Sequence, residues 1–63
     1  MGKPDRLIRK PVVLDRTGGS NAWLYKMIAE GSFPKQVHIG GRAVAWLESE
    51  VDEWIQARLA ERG

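Results

Sequence analysis

The chain of 63 residues has no cysteine, a single histidine and no long apolar run. Without cysteine it has no disulfide and no thiolate metal ligand, and one histidine excludes a multi-histidine metal site. No segment approaches the roughly 20 apolar residues that cross a bilayer. Residues 1–10 lack the apolar stretch of a signal peptide. We therefore expect a cytoplasmic protein with no membrane partner, no metal and no cofactor.

The small size and the scarcity of reactive groups also disfavour an enzyme. His38 has no evident nucleophile as a partner, and so short a chain offers no converging set of catalytic groups. We expect one domain over 1–63, with residues 1–7 flexible. Its core is small, because a domain of this size buries only roughly 60% of its unfolded surface. Three tryptophans can supply much of the buried area: Trp23, Trp46 and Trp54. Of these, Trp46 and Trp54 are expected in the core.

The net charge of +2 is unevenly distributed. Residues 1–47 carry eight Lys and Arg against three acids, a net charge of +5, whereas residues 48–63 carry five acids against two Arg, a net charge of −3. A basic part and an acidic part in one small domain suit a polyanionic ligand on the basic part. The alternative is ordinary solvated charge.

Local signals predict two short helices separated by a glycine turn. The first helix begins at Lys10 and ends at Gly18, a typical C-terminal stop. Ser20 is a good N-cap for a second helix, over 21–30, which ends before Gly31. The apolar residues of this second helix fall on one stripe: Leu24, Met27 and Ile28. Two helices joined by such a turn are typical of a helix-turn-helix unit.

A hairpin and a third helix follow. From Lys35 the pattern alternates with a period of two, and Gly40-Gly41 predicts the turn of a two-stranded hairpin. Its expected apolar face comprises Val37, Ile39, Val44 and Trp46. Ser49 and Asp52 form a capping-box pattern at the start of the last helix. Its apolar stripe comprises Val51, Trp54, Ile55 and Leu59. This order predicts a small α+β winged helix-turn-helix domain, a layout used for reading DNA.

Three segments closely resemble the AlpA-type prophage regulator family: SNAWLYKMIAEG (20–31), FPKQVHIGGRAVAW (33–46) and LESEVDEWI (47–55). The resemblance extends over about 8–59. Members of that family are small MerR-like winged-helix proteins related to phage excisionases. The resemblance implies DNA binding near attachment sites and promoters, in transcriptional regulation, in excision as a recombination directionality factor, or in both. It also implies that the second helix enters the major groove and that the wing contacts the backbone or the minor groove.

The chain departs from the family at the start of the recognition helix. Relatives usually have Leu-Ser-Arg-Ser-Thr where this chain has residues 19–23, GSNAW. Asn21 replaces the usual arginine, Trp23 replaces a small polar residue, and Gly19 lacks the apolar side chain that would anchor the turn. This departure affects which bases the helix could recognise, and it leaves the predicted fold unchanged.

The candidate DNA-binding residues form three groups. On the recognition helix they are Ser20, Asn21, Ala22, Trp23, Tyr25 and Lys26. On the wing they are Lys35, Gln36, His38 and Arg42. Near the first helix, the expected phosphate contacts are Arg9, Lys10 and Arg16.

Each of these side chains also has a simpler interpretation. Asn21 suits an adenine edge but is equally suited to capping the helix. Lys26 suits a guanine or a phosphate, and Arg42 suits a phosphate or a narrow minor groove, yet either cation is also typical of solvated surface. Ser20 is first of all an N-cap. Trp23 is either a contact to sugar or thymine, or a tryptophan of the core or of a subunit contact.

Two classes of function therefore remain. The first is a sequence-specific reader of double-stranded DNA, with an integrase or recombinase as a partner and cooperative self-association on DNA repeats. The second is a protein-interaction module on a winged-helix scaffold that binds an integrase, a repressor or a terminase subunit.

Overall fold

The computed structural model of the chain describes residues 5–62. Its elements, in chain order, are β1 (Leu7–Ile8), α1 (Lys10–Thr17), α2 (Asn21–Ala29), β2 (Val37–Gly40), β3 (Ala43–Leu47) and α3 (Glu48–Glu61). The strands form an antiparallel sheet in the order β1-β3-β2. Three helices and this sheet make up the small α+β winged helix-turn-helix that the sequence predicts, with one strand more than the predicted hairpin.

The N-terminal segment is only partly described. Residues 1–4 of the segment expected to be flexible lie outside the described residues, whereas Leu7 belongs to β1 and pairs with Leu47. Within residues 5–62, no helix is long and apolar enough to span a membrane.

The ends of α1 and α2 lie where the local signals place them. Gly18 ends α1 at a left-handed φ of +74°, which glycine adopts without steric cost, and its N–H donates to the Leu14 carbonyl at 2.7 Å. Ser20 is the N-cap of α2, and its hydroxyl oxygen accepts a hydrogen bond from the Trp23 N–H at 3.1 Å. Both caps are confirmed, so the short turn between the helices is defined from both sides.

The predicted capping box at Ser49 is wrong. α3 begins at Glu48, directly after β3, with Leu47 at the N-cap position and no side-chain cap. The Glu48 N–H donates to the Arg6 carbonyl at 2.7 Å, and Leu47 pairs with Leu7 in the sheet. The segment around β1 therefore binds the backbone at the junction of β3 and α3. As a result α3 begins directly after β3, and Ser49 falls in the first turn of α3.

Ser20→Ala is expected to lower the free energy of unfolding by about 1 kcal/mol, because the Trp23 N–H loses its acceptor. The matched control is Ser49→Ala, the same change at an exposed position of α3 that does not cap the helix. For the control we expect a change within about 0.5 kcal/mol. Urea denaturation of both variants measures the difference, and equal losses would contradict this assignment of the caps.

The hairpin is confirmed, but its register differs from the prediction. Gly40 pairs with Ala43, so the turn consists of Gly41 and Arg42, and the register shifts between His38 and Gly40. Gly40 and Gly41 have φ values of +145° and +52°, which side-chain-bearing residues adopt only with strain. Such a shift is a β-bulge, which places one extra residue on the first strand.

The bulge moves Val37 to the other face of the sheet. Val37 lies opposite Ala45, and directly opposite residues point to the same side, whereas Trp46 is the neighbour of Ala45 and points the other way. The prediction that Val37 and Ile39 complete the apolar face of Trp46 is therefore wrong. Their side chains remain exposed, at 37% and 44%.

The core joins the sheet to all three helices. Its buried members are Ile8, Val13, Leu24, Phe33, Trp46 and Val51. Trp46 has no exposed surface, as predicted, and its indole N–H donates to the Pro34 carbonyl at 3.1 Å. The indole N–H of half-buried Trp54 donates to the Ser32 carbonyl at 2.6 Å. These bonds hold the loop after α2 against the core. Leu59, at the end of the predicted α3 stripe, lies outside the core and is 47% exposed.

Candidate nucleic-acid interface

α2 presents one face outside the core. Leu24 is fully buried and Met27 and Ile28 are half-buried, as the predicted stripe requires. The exposed residues of the helix lie together on the opposite side: Asn21, Ala22, Tyr25, Lys26 and Ala29. The Ser20 hydroxyl is engaged by the helix cap. An amphipathic helix of this kind leaves its polar face available to a ligand.

The start of α1 lies beside this face. The Lys10 ammonium nitrogen is 5.2 Å from the centre of the Tyr25 ring, within the range of a cation–π interaction. Tyr25 is 38% exposed, and Arg9, at the N-cap position of α1, is exposed as well. The sequence predicts all three residues as contacts, but it places Tyr25 in a different group from Arg9 and Lys10. Only the crossing of the two helices brings Lys10 to Tyr25, and no spacing pattern in the sequence indicates that contact.

The wing carries the second group of candidates. Lys35, His38 and Arg42 are exposed, and Gln36 is half-buried. Arg42 is a turn residue of the hairpin, and β2 is an edge strand of the sheet. Three of the four predicted wing residues are therefore accessible to a ligand.

Arg16 lies in a different place from the other predicted phosphate contacts. Its guanidinium forms an ion pair with Asp52, and its Nη1 lies 3.9 Å from Oε2 of Glu48. The same Glu48 oxygen accepts a hydrogen bond from Arg6 Nη2 at 3.1 Å. These acids belong to α3, so Arg16 is used to hold α1 against the last helix.

The cations of residues 5–47 thus fall into two sets. Arg6 and Arg16 are paired with acids of α3. For the others, the structure shows no ion pair with any described residue, and we call them the unpaired cations: Arg9, Lys10, Lys26, Lys35 and Arg42. They are distributed over the start of α1, the exposed face of α2 and the wing. A cation without an intramolecular anion is available to a phosphate group.

Trp23 is half-buried, and its ring packs inward. The ring centre lies 6.1 Å from that of Phe33 and 5.9 Å from that of Trp54, in edge-to-face geometry. Phe33 and Trp54 are themselves 5.0 Å apart. We call these three residues the aromatic triad. The contacts match the core alternative for Trp23 rather than a position on the exposed face of α2.

Comparisons with known proteins place this chain among phage-related regulatory proteins. A family model described as prophage CP4-57 regulatory protein (AlpA) matches residues 6–59. The chain is 34% identical over 59 residues to the "DNA-binding transcriptional activator AlpA" of Escherichia coli (strain K12), covering 84% of either chain. It is 45% identical over 58 residues to the "Uncharacterized protein ORF88" of Enterobacteria phage P4. That match covers 92% of this chain and 66% of the phage protein, just under two thirds of its length.

Proposed function

This chain belongs to the family of the prophage CP4-57 regulatory protein AlpA, and we propose that it binds duplex DNA sequence-specifically to regulate transcription on a prophage or mobile element. The observation that carries the proposal is the set of unpaired cations, which spans α1, α2 and the wing. Phosphate contacts dominate the affinity of DNA-binding proteins, and they need cations that the fold does not neutralise. One relative of this chain is named a DNA-binding transcriptional activator, which supports the proposal.

In the proposed complex α2 lies in the major groove. The Asn21 carboxamide has the donor and acceptor needed to bond both edge atoms of an adenine. Lys26, five residues further along the exposed face, reaches a guanine edge or the adjoining phosphate. These two side chains carry most of the base recognition, because Ala22 and Ala29 offer only methyl groups on that face.

The remaining unpaired cations position the protein on the backbone. Arg9 and Lys10 meet phosphates on one side of α2, with Lys10 steadied by the Tyr25 ring. Lys35 and Arg42 extend the contact through the wing, where Arg42 at the turn suits a phosphate or a narrow minor groove. Such contacts set the register of the protein on DNA and make binding strongly salt-dependent.

We further propose that several copies act together, with an integrase as the partner in excision. A single small module buries roughly 600–1,000 Å² of its surface on DNA, which limits its affinity and specificity. Repeated sites for several copies compensate for this limit, and an array of copies on one duplex is suited to bending it.

A protein-interaction module on this scaffold would contact its partner through the acidic α3 or through an exposed Trp23. Its ring lies against Phe33 and Trp54, so this surface does not provide the large aromatic contact that such a module needs. The exposed face of α2 and the unpaired cations instead favour a nucleic acid.

Selection from a random duplex library by the purified protein, at two salt concentrations, tests the proposal. We expect one enriched motif, present as repeated half-sites. Asn21→Ala is expected to relax the preference at one position by about 1–3 kcal/mol, and Lys26→Ala to weaken binding to the whole motif.

Gln56→Ala, at an exposed position of α3, is the control and should leave the motif and the affinity unchanged. Absence of binding at both salt concentrations would contradict DNA recognition. A single isolated site bound tightly by one copy would contradict only cooperative binding.

A further inference from the structure

Gly19 and Trp23 compete for the same space at the helix-turn-helix corner. A Cβ built at position 19 would lie 2.6 Å from Cζ3 and 2.8 Å from Cδ2 of the Trp23 ring, and closer still to Cε3. Carbon atoms that are not bonded to each other pack at about 3.5–4.0 Å. The Trp23 ring therefore fills the volume that any side chain at position 19 would need.

The backbone gives no other reason for a glycine at position 19. Gly18, Gly31, Gly40 and Gly41 are the described glycines with a positive φ, and Gly19 is not among them. Its φ therefore lies outside the left-handed range that favours glycine. The contact that requires glycine at this position is the Trp23 ring.

The position of the ring links the turn to three other parts of the domain. Trp23 stands in the first turn of α2, where its N–H donates to the Ser20 hydroxyl oxygen. Its ring packs over Gly19 in the turn, on Phe33 in the loop after α2 and on Trp54 of α3. Asn21 and Lys26, on the exposed face of α2, move with any rotation of the helix about these contacts.

We propose that Trp23 is a positioning residue of the recognition helix and that Gly19 is its obligatory complement. The ring acts as a spacer between the turn and the rings of Phe33 and Trp54, and it fixes the angle at which α2 leaves α1. That angle decides whether Asn21 and Lys26 reach base edges while Lys10 reaches a phosphate. The inference rests on the proposed function, since DNA affinity is what the position of α2 would control.

The experiment compares Gly19→Ala, Trp23→Ala and the double variant with the wild-type chain. Each protein is titrated onto the selected duplex and onto an unrelated duplex, at a temperature where circular dichroism shows it fully folded. We expect Gly19→Ala to weaken specific binding roughly tenfold, the equivalent of one lost base contact, with little effect on the unrelated duplex. In the Trp23→Ala background, Gly19→Ala should change either affinity less than twofold, because the ring is gone.

Ile8→Val separates positioning from stability. Ile8 is buried in the same core but belongs to β1 rather than to the helix-turn-helix unit. This variant is expected to melt at a lower temperature and still bind the selected duplex within twofold of wild type. A merely structural role for Trp23 predicts no change in the ratio of specific to unrelated affinity for any variant that is folded.

The possible failures are distinguishable. If the wild-type chain binds no duplex, the proposed function fails and this inference fails with it. If the wild-type chain binds and Gly19→Ala binds equally well, only the inference is overturned. The inference is also overturned if Gly19→Ala changes the specific affinity equally with and without the Trp23 ring. The same holds if Ile8→Val loses as much specific affinity as Gly19→Ala.

Discussion

Trp46→Ala is expected to remove most of the free energy of unfolding of the domain. Trp46 has no exposed surface and lies on β3, the central strand of the sheet. The core around it also contains residues of β1 and of all three helices. Truncating a buried aromatic residue to alanine costs about 3–5 kcal/mol. A domain of this length has only roughly 3–9 kcal/mol of stability in total. The change also removes the donor to the Pro34 carbonyl, which anchors the loop before the wing.

Urea denaturation followed by circular dichroism measures this effect. Leu59→Ala is the control, since it also truncates a large apolar residue but at a position that is 47% exposed. We expect the control to change the free energy of unfolding by less than about 1 kcal/mol. A cooperative transition of Trp46→Ala close to that of the wild type would show that the core does not depend on this side chain.

Raising the salt concentration from 50 to 200 mM is expected to weaken binding to the selected duplex about 150-fold. Four of the unpaired cations are assigned to phosphates: Arg9, Lys10, Lys35 and Arg42. Each phosphate neutralised on duplex DNA contributes about −0.9 to the slope of log affinity against log salt, so four give about −3.6. Fluorescence anisotropy with a labelled duplex over this range measures the slope.

Two arginine variants show whether the slope depends on the position of the charge. Arg42→Gln should make the slope shallower by about 0.9, because one counterion fewer is released. Arg16→Gln removes the same charge at a position whose guanidinium is held by Asp52, and it should leave the slope unchanged. A slope near zero would count against phosphate contacts and favour the protein-interaction module. Equal effects of the two variants would show that the slope reports net charge rather than position.

The parts of the fold that sequence analysis predicts correctly depend on short-range chemistry. Gly18 ends α1 and Ser20 caps α2 through hydrogen bonds to groups within four residues. Leu24, Met27 and Ile28 face the core because the helical period places them together. Such features require no knowledge of distant segments, so the pattern of residues is sufficient.

The errors arise where distant segments meet. Ser49 carries a good capping pattern, but Glu48 already begins the helix because its N–H is bonded to Arg6. Val37 alternates correctly with Ile39, but the bulge at the hairpin turn shifts the pairing and reverses its face. In each case a backbone contact made outside the local pattern decided the outcome.

The candidate site shows the same division. Residue types and spacing predict α2 and the wing as the candidate interface, and ten of the thirteen candidate residues are exposed. Spacing does not reveal that Arg16 is held by Asp52, that Lys10 meets Tyr25, or that the ring of Trp23 packs inward. Whether a cation is free to bind a phosphate depends on which acidic residues the fold places beside it.

The sequence correctly predicts the three helices, the caps at Gly18 and Ser20, the hairpin, the buried stripe of α2, the uneven charge and the family. Hydrogen bonds within a turn and the fixed periods of helix and strand determine these features, so they can be predicted from neighbours in the chain. The tertiary structure was needed to establish the register of the sheet, the start of α3, and which of the basic and aromatic residues remain free for a ligand. Those depend on which distant segments pack together when the core is buried, and local patterns carry no record of that pairing.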